Sequence, residues 1–312
     1  MSYVLGIDGG GSKTVCILMN DKREILGCGE AGSSNYQSVG IEAAKYSIES
    51  AINTAIITTN NININAICLG LAGVGRFKDI EVIKNIIKDI PVISNIKPQN
   101  IIISHDALIA LVGGVGNDVG IVVAAGTGSI VFGRNHRGET KRVGGWGYIL
   151  GDEGGAYKIA VAGMQAALKA YDGREISTSL VEDFKNNLGL NNIEELIEII
   201  YRSGYGVKDI AALAPIVDNA AFEGDEVANL IIDDAVDELV KATVTVINEI
   251  FVEGEFLEVV TTGSVWKGKS KIWERFVSCI SRDFVNVKVI FPRFEAVFGA
   301  GLLGLRSLGE EN

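Results

Sequence analysis

Short apolar runs separated by turn residues open the chain. Residues 3–7 (Tyr-Val-Leu-Gly-Ile) and 15–19 (Val-Cys-Ile-Leu-Met) read as strands. Between them lies Asp8-Gly9-Gly10-Gly11-Ser12-Lys13-Thr14, and Asp21-Lys22-Arg23 turns the chain into a third strand at 24–27. After a polar loop at 32–36, Ile41, Ala44, Ile48, Ala51, Ile52, Ala55 and Ile56 fall at helical spacing. A buried strand follows at 66–71, then a helix marked by Ile80, Ile83, Ile86, Ile87 and Ile90. The next strand, 101–103, ends in Ser104-His105-Asp106-Ala107. Asp106 there is either the N-cap of a following helix or a functional carboxylate, because ligands of α/β sheets bind beyond the carboxyl ends of strands. His105, one of two histidines, reads as structural, and the glycines at 113–118 read as a hinge.

The opening pattern then returns. Residues 119–124 form a strand, Ala125-Gly126-Thr127-Gly128-Ser129 a glycine and hydroxyl turn, and 130–133 another strand. This weak internal repeat predicts a duplicated domain, with a first lobe at 1–117 and a second at 118–294. Two such turns facing each other across a cleft could grip a polyphosphate from both sides. Residues 144–156 hold six glycines with Trp146, Tyr148, Asp152 and Glu153, a density that suggests backbone approaching a ligand closely. Trp146 could stack on a ligand ring and Asp152 could accept hydrogen bonds; the alternative is a structural loop with a core tryptophan. The second lobe carries a helical insertion at 157–254, with segments at about 176–188, 193–203, 207–222 and 225–251. It ends in a strand at 257–262, a helix at 270–282 and a strand at 287–291. The small-residue helix at the end of the chain, within 295–312, is expected to pack tightly against another element.

Composition narrows the classes. The 312 residues, 47% of them hydrophobic, suffice for one large domain or two ordinary ones. The net charge, 28 − 39 = −11, argues against nucleic acid or an anionic membrane as the main partner, but not against a phosphate held by local loops. The four cysteines (Cys16, Cys28, Cys68, Cys279) are far apart and read as buried free thiols in a reducing compartment. No basic, apolar leader opens the chain, and no apolar stretch reaches the ~18 residues of a membrane helix. A soluble cytoplasmic protein is expected.

Phosphate chemistry has two candidate locations. In the first turn, three glycines let backbone N–H groups face a phosphate, Ser12 and Thr14 add hydroxyls, and Asp8 could hold magnesium directly or through water; a tight hairpin with an incidental aspartate is the alternative. Residues 263–270 (Gly-Ser-Val-Trp-Lys-Gly-Lys-Ser) match the phosphate loop of P-loop NTPases, between a predicted strand and helix. Against this stand the bulk of Trp266 and Lys267 and the short remainder of the chain. The 287–291 strand also lacks a terminal aspartate for magnesium.

Taken together, the Asp8–Ser12 turn, Ser34-Asn35, Asp106-Ala107, Gly126 to Ser129, Gly144-Gly145-Trp146-Gly147, Gly151-Asp152-Glu153-Gly154 and Gly263 to Lys267 resemble the N-acetylglucosamine kinase and BadF/BadG/BcrA/BcrD ATPase family. That family sits within the sugar kinase, Hsp70 and actin superfold, and the likeness spans nearly the whole chain. It implies an α/β, duplicated actin-like ATPase (ribonuclease H-like) fold, with two lobes around a nucleotide and sugar cleft. The carboxy-terminal helix would return to the first lobe. ATP would lie against Gly9, Gly10, Gly11, Ser12, Lys13, Thr14, Gly126, Thr127 and Gly128, with Ala211, Gly263, Ser264 and Lys267 on the adenosine side and Mg2+ at Asp8. Asn35, Asp106, Thr127, Gly145, Trp146 and Asp152 would surround the sugar. Asp106 would be the general base.

The resemblance implies transfer of the γ-phosphate of ATP to the 6-hydroxyl of N-acetylglucosamine. Some relatives accept N-acetylmuramic acid and others glucosamine. Lobe closure would exclude water, and a homodimer working in amino-sugar and cell-wall salvage is expected. Where some members carry a serine, this chain has Ala72-Gly73-Val74-Gly75-Arg76; Arg76 faces a substrate carboxylate or is a plain surface arginine. Two rivals share the fold: an ATPase activating a radical dehydratase, which needs cysteines for an iron–sulfur cluster, and a non-catalytic sugar sensor.

Overall fold

The computed structural model describes residues 1–57, 59, 62–202 and 204–309. The chain divides into two compact units, residues 1–120 with 292–312, and residues 121–291.

In chain order the first unit contains β1 (Tyr3–Gly9), β2 (Thr14–Asn20), β3 (Ile25–Ala31), α1 (Tyr36–Val39), α2 (Ile41–Ile56), β4 (Ala66–Leu71), α3 (Phe77–Ile87), α4 (Pro91–Ser94), β5 (Ile101–His105) and α5 (Asp106–Val115). The second contains β6 (Gly120–Ala125), β7 (Ser129–Arg134), β8 (Thr140–Gly144), α6 (Ala156–Tyr171), α7 (Leu180–Leu188), α8 (Val207–Ala211), α9 (Ala214–Phe222), α10 (Glu226–Ile250), β9 (Leu257–Thr262), α11 (Ile272–Asp283) and β10 (Val287–Ile290). Helix α12 (Ala296–Arg306) closes the chain and belongs to the first unit.

Each unit holds a five-stranded sheet, in the order β3-β2-β1-β4-β5 and β10-β9-β6-β7-β8. Read from the first strand of each unit, the two orders are the same: the hairpin lies to one side, and two parallel strands, with a helix between them, lie to the other. The repeat glimpsed in the glycine turns is therefore a duplication of topology. Both turns join the first two strands of their sheets.

The first sheet is covered on both faces. Leu5, Ile7, Leu69 and Leu71 pack with Ile48, Ile52, Ile83 and Ile86 of α2 and α3. On the other face Val4, Ile17 and Met19 meet α12, while Cys68 meets α5 and α12. That second face is unusually close. A Cβ on Gly113 of α5 would strike the Glu295 carbonyl, and one on Gly299 of α12 would strike the Ile109 carbonyl and Gly113 amide. Gly6 of β1 likewise leaves room for Gly301, whose amide would lie 2.5 Å from any Cβ. Three elements thus meet backbone to backbone, and this lays α5 and α12 side by side against β1. The second unit has one core, in which α6, α9 and α10 pack with the apolar faces of β6 and β9, around Phe184 and Phe276.

Several expectations change. Residues 113–115 are helical and Gly116 is the left-handed C-cap of α5, so the hinge reading fails; the glycines serve the contact with α12. The edge strand β8 went unseen because Thr-Lys-Arg-Val-Gly is half exposed and charged. Of the cysteines, which are all free, Cys16 and Cys68 are buried, but Cys28 is exposed and Cys279 half-buried. Segment 193–203 resolves into a 3-10 turn (Ile193–Glu195) and a π-helical turn (Glu198–Arg202), with residue 203 outside the described residues. The final residues of the 295–312 segment, 310–312, also lie outside them. No helix among the described residues is long and apolar enough to cross a membrane.

Helix propensity alone favours Gly299→Ala by up to ~1 kcal/mol. The close approach predicts the reverse, a loss of about 1–3 kcal/mol from overpacking. Urea denaturation should show a lowered midpoint with an unchanged slope.

Candidate active site

In the first unit the site residues gather at the carboxyl ends of β1, β4 and β5. Asp8 pairs in register with Gly70, and Gly70 with Ser104, two residues before Asp106. Side chains alternate along a strand, so Asp8 shares the face of Gly6, the face that carries α5 and α12. The helix contacts described above therefore bring the amino-terminal ends of α5 and α12 towards Asp8. Its carboxyl is pushed up to about 6, first by burial, then by the negative charge of Asp106, with Glu295 adding to it and Lys13 opposing. Asp106 is raised as well, by burial above all, against a hydrogen bond from the Ala107 amide at 2.9 Å.

Asp106 is not the N-cap. His105 holds that place, its Nδ1 accepting from the Leu108 amide at 3.2 Å. The helix end is served by the histidine, and Asp106 is the first helical residue.

The glycine turn closes through the Gly10 amide, which donates to the Lys13 carbonyl at 2.8 Å. Gly9 is buried, Gly10 half-buried, and Gly11, Ser12 and Lys13 exposed; Lys13 pairs with Glu30 at 3.2 Å. Thr14 departs from expectation. It is wholly buried and its hydroxyl donates to the Gly32 carbonyl at 2.7 Å, so the side chain is turned from any phosphate. Ser33 adds a second tie, its hydroxyl donating to the Gly10 carbonyl at 3.0 Å. These bonds fasten the 32–35 segment to the turn and place Asn35, whose Oδ1 accepts from the Gln37 amide at 3.1 Å as the cap of α1. Ser34 between them is buried, with an unpartnered hydroxyl.

In the second unit Gly126, Thr127 and Gly128 link β6 to β7. The amides of Ala156 and Tyr157, in the first turn of α6, donate to the carbonyls of Gly126 (2.8 Å) and Thr127 (3.0 Å), and the Ser129 hydroxyl donates to the Glu153 carbonyl at 2.5 Å. Asp152, held at φ 62°, lies so close to Gly128 that no Cβ would fit there. Its Oδ1 accepts from the Gly147 amide at 3.0 Å, and burial raises its carboxyl. One carboxylate thus joins the 126–128 turn to the loop bearing Gly145 and Trp146. Trp146 is no core residue: it is 64% exposed, with the Arg142 guanidinium 4.4 Å from its ring centre.

The P-loop look-alike proves closed to phosphate. Trp266 plugs the core, its Nε1 donating to the Val123 carbonyl at 3.2 Å. The amides of Lys269 and Ser270 already donate to the Asp218 carboxylate, at 2.7 and 3.1 Å, with the Ser270 hydroxyl at 2.5 Å. An internal anion fills the position a phosphate would need. Gly263, at φ 106°, lies against the Ala125 carbonyl and Gly126 amide, so this segment abuts the 126–128 turn. Ser264 and Lys267 are exposed, whereas Ala211 is buried at the end of α8. Asp218 was missed because it lies some fifty positions from the loop that it anchors and has no local signature.

The duplicated sheets, with a glycine turn after the first strand of each, define the sugar-kinase and actin-like fold class. The chain belongs to the BadF/BadG/BcrA/BcrD ATPase family, whose model matches residues 5–304. It is 35% identical over 305 residues to the N-acetylmuramic acid/N-acetylglucosamine kinase of Clostridium acetobutylicum, covering 97% of this chain and 98% of the other. It is 32% identical over 315 residues to the N-acetyl-D-glucosamine kinase of Dictyostelium discoideum, with the same coverage. Among solved structures, a Chromobacterium violaceum protein provisionally described as an N-acetylglucosamine kinase matches with a TM-score of 0.75 at 23% identity, over 97% of this chain and 99% of that one. A Streptomyces griseus glucokinase of the ROK family, in complex with glucose and AMPPNP, matches at 0.56 and 14%, over 97% and 99%. At these identities the solved structures establish the fold.

Burying Asp8 has a pH signature. Its folded value lies above the 3.8 of the unfolded chain. The folded state therefore keeps a proton that the unfolded state has released, and stability falls as pH rises from about 4 to about 6. The full cost, on the order of 3 kcal/mol, is present above that window. In the ligand-free protein Asp8→Asn should therefore be more stable than wild type at pH 7.5, by a margin that shrinks towards zero near pH 4. Thermal melts across that range test it, and a margin independent of pH would refute it.

Proposed function

We propose that the chain is an ATP-dependent kinase that transfers the γ-phosphate to the 6-hydroxyl of an N-acetylated amino sugar, N-acetylglucosamine first and N-acetylmuramic acid as well. The activities named for the Clostridium and Dictyostelium relatives support the substrate class. The observation that carries the mechanism is the Asp8–Asp106 pair, two half-buried carboxyls with raised proton affinity at the ends of β1 and β5, on either side of β4.

Asp106, its affinity for a proton raised by burial, takes the proton of the attacking sugar hydroxyl. A raised value suits a base better than that of an exposed aspartate. Asn35, fixed by the bonds to the first turn, orients the sugar in this reading, together with Thr127, Gly145, Trp146 and Asp152. The backbone of Gly9 to Lys13 and of Gly126 to Gly128 holds the ATP phosphates, and Ser264, Lys267 and the backbone near Ala211 and Gly263 lie on the adenosine side. Phosphoryl transfer needs positioning and charge neutralisation more than covalent help. The negative charge that Asp106 and Glu295 add at Asp8 favours a cation there: Asp8 would hold Mg2+, which when bound screens the phosphate charge. A cytoplasmic enzyme suits the four free thiols, and the negative net charge disfavours nucleic acid; the homodimer rests on the resemblance alone. The dehydratase-activator reading is weaker. Cys16 and Cys68 lie inside the first sheet with thiols that burial keeps protonated, so they are poor donors to a cluster shared between subunits.

The decisive assay is ADP release over a panel of N-acetylglucosamine, N-acetylmuramic acid, glucosamine, N-acetylmannosamine and glucose. The N-acetylated sugars at positions one and two should stimulate turnover; no stimulation by any would end the kinase assignment. Asp106→Asn should still bind sugar but lose turnover by roughly 10²–10⁴-fold, the usual worth of a positioned base. Near-normal turnover would remove Asp106 from that role.

A further inference from the structure

The loop after β4, residues 72–76, carries an arginine to which the mechanism gives no task. Arg76 is anchored by Asp79, which is 1% exposed. Asp79 accepts five hydrogen bonds: from the amides of Gly75 (3.1 Å) and Arg76 (2.8 Å), from Arg76 Nε (3.1 Å) and Nη2 (2.9 Å), and from the Tyr36 hydroxyl (2.7 Å). The Arg76 guanidinium above all, then the Tyr36 hydroxyl and the two amides, hold its carboxyl far below the usual range, against the effect of burial.

Two amides and a tyrosine already serve this carboxylate and the start of α3. The guanidinium side chain nonetheless remains 73% exposed. Asp79 takes only the Nε–Nη2 edge of the fork. The rest is presented outward on a side chain whose orientation is already set.

The same loop is tied to the segment of Asn35. The Gln37 side-chain amide donates to the Gly73 carbonyl at 2.7 Å, and a Cβ on Gly73 would lie 2.7 Å from Asn35 Oδ1. Tyr36, which shares Asp79 with Arg76, is the next residue after Asn35. One buried carboxylate therefore fixes both the arginine and the segment assigned to the sugar.

We propose that Arg76 is a specificity-determining residue of the sugar site, which receives the carboxylate of an acidic amino sugar, the 3-O-lactyl group of N-acetylmuramic acid. The inference rests on the assignment of Asn35 to the sugar site. Guanidinium and carboxylate meet through paired, charge-assisted hydrogen bonds, and a pre-set fork loses little side-chain freedom on binding. A neutral sugar offers no such group, so the contact selects between substrates.

The test compares kcat and KM of wild type, Arg76→Gln and Arg76→Lys on N-acetylglucosamine and N-acetylmuramic acid, with ATP saturating. Arg76→Gln should lose about 10–100-fold in kcat/KM on N-acetylmuramic acid, mostly through KM, and stay within about twofold on N-acetylglucosamine. Arg76→Lys, which keeps the charge but not the fork, should fall between and covers the case in which the glutamine variant does not fold. Equal losses on both sugars would mean a structural role, and no loss would mean an idle side chain; either overturns the inference. So would a wild type active on N-acetylglucosamine alone, with the kinase reading intact. A wild type active on neither sugar sinks that reading and the inference with it.

Discussion

The close approach of α12 to α5 and β1 is the constraint on which the first unit depends. Glycines 6, 113 and 299 leave no room for side chains at these crossings. The backbone contact carries the first turn of α5 to the end of β1, and with it Asp106 to the neighbourhood of Asp8. Looser packing would separate the two carboxyls and relieve their mutual repulsion. The arrangement is unfavourable for folding at neutral pH. Stability gained from the helix layer offsets strain placed at the site.

The elements were largely legible in the chain because their cause is local. Ile48 and Ile52, or Ile83 and Ile87, repeat at helical spacing because one face of α2 and of α3 is buried, and the strands are apolar runs because both faces of the sheet are covered. The glycine turns were legible for the same reason, and their recurrence announced a duplication that the strand orders display. What stayed hidden is non-local. Nothing near Thr14 signals that its hydroxyl belongs to Gly32. Nothing near residue 268 signals that Asp218 will lie beneath it. The charged edge strand β8 escaped because its stability comes from β7, not from its own pattern.

The 263–270 segment separates a string from a site. Its glycines, lysine and serine reproduce the spelling of a phosphate loop, and its amides do converge on an anion. The anion is the protein's own. Asp79 and Asp152 act in a similar manner elsewhere, Asp79 accepting from two backbone amides of its glycine-rich loop and Asp152 from one. Carboxylates that bind loops from within leave less backbone to bind ligands, so density of glycine alone cannot rank the candidates. The turns at 10–13 and 126–128 differ, being closed by their own backbone and by the start of α6.

The placement of α12 also bears on how the chain assembles during synthesis. Residues 121–291 form a continuous unit that can complete its core as soon as it leaves the ribosome. The amino-terminal sheet cannot: Val4, Ile17 and Met19 wait for α12, which is encoded after the whole of the second unit. The part made first is thus finished last, and its uncovered apolar face must stay out of intermolecular contact for the whole time of elongation.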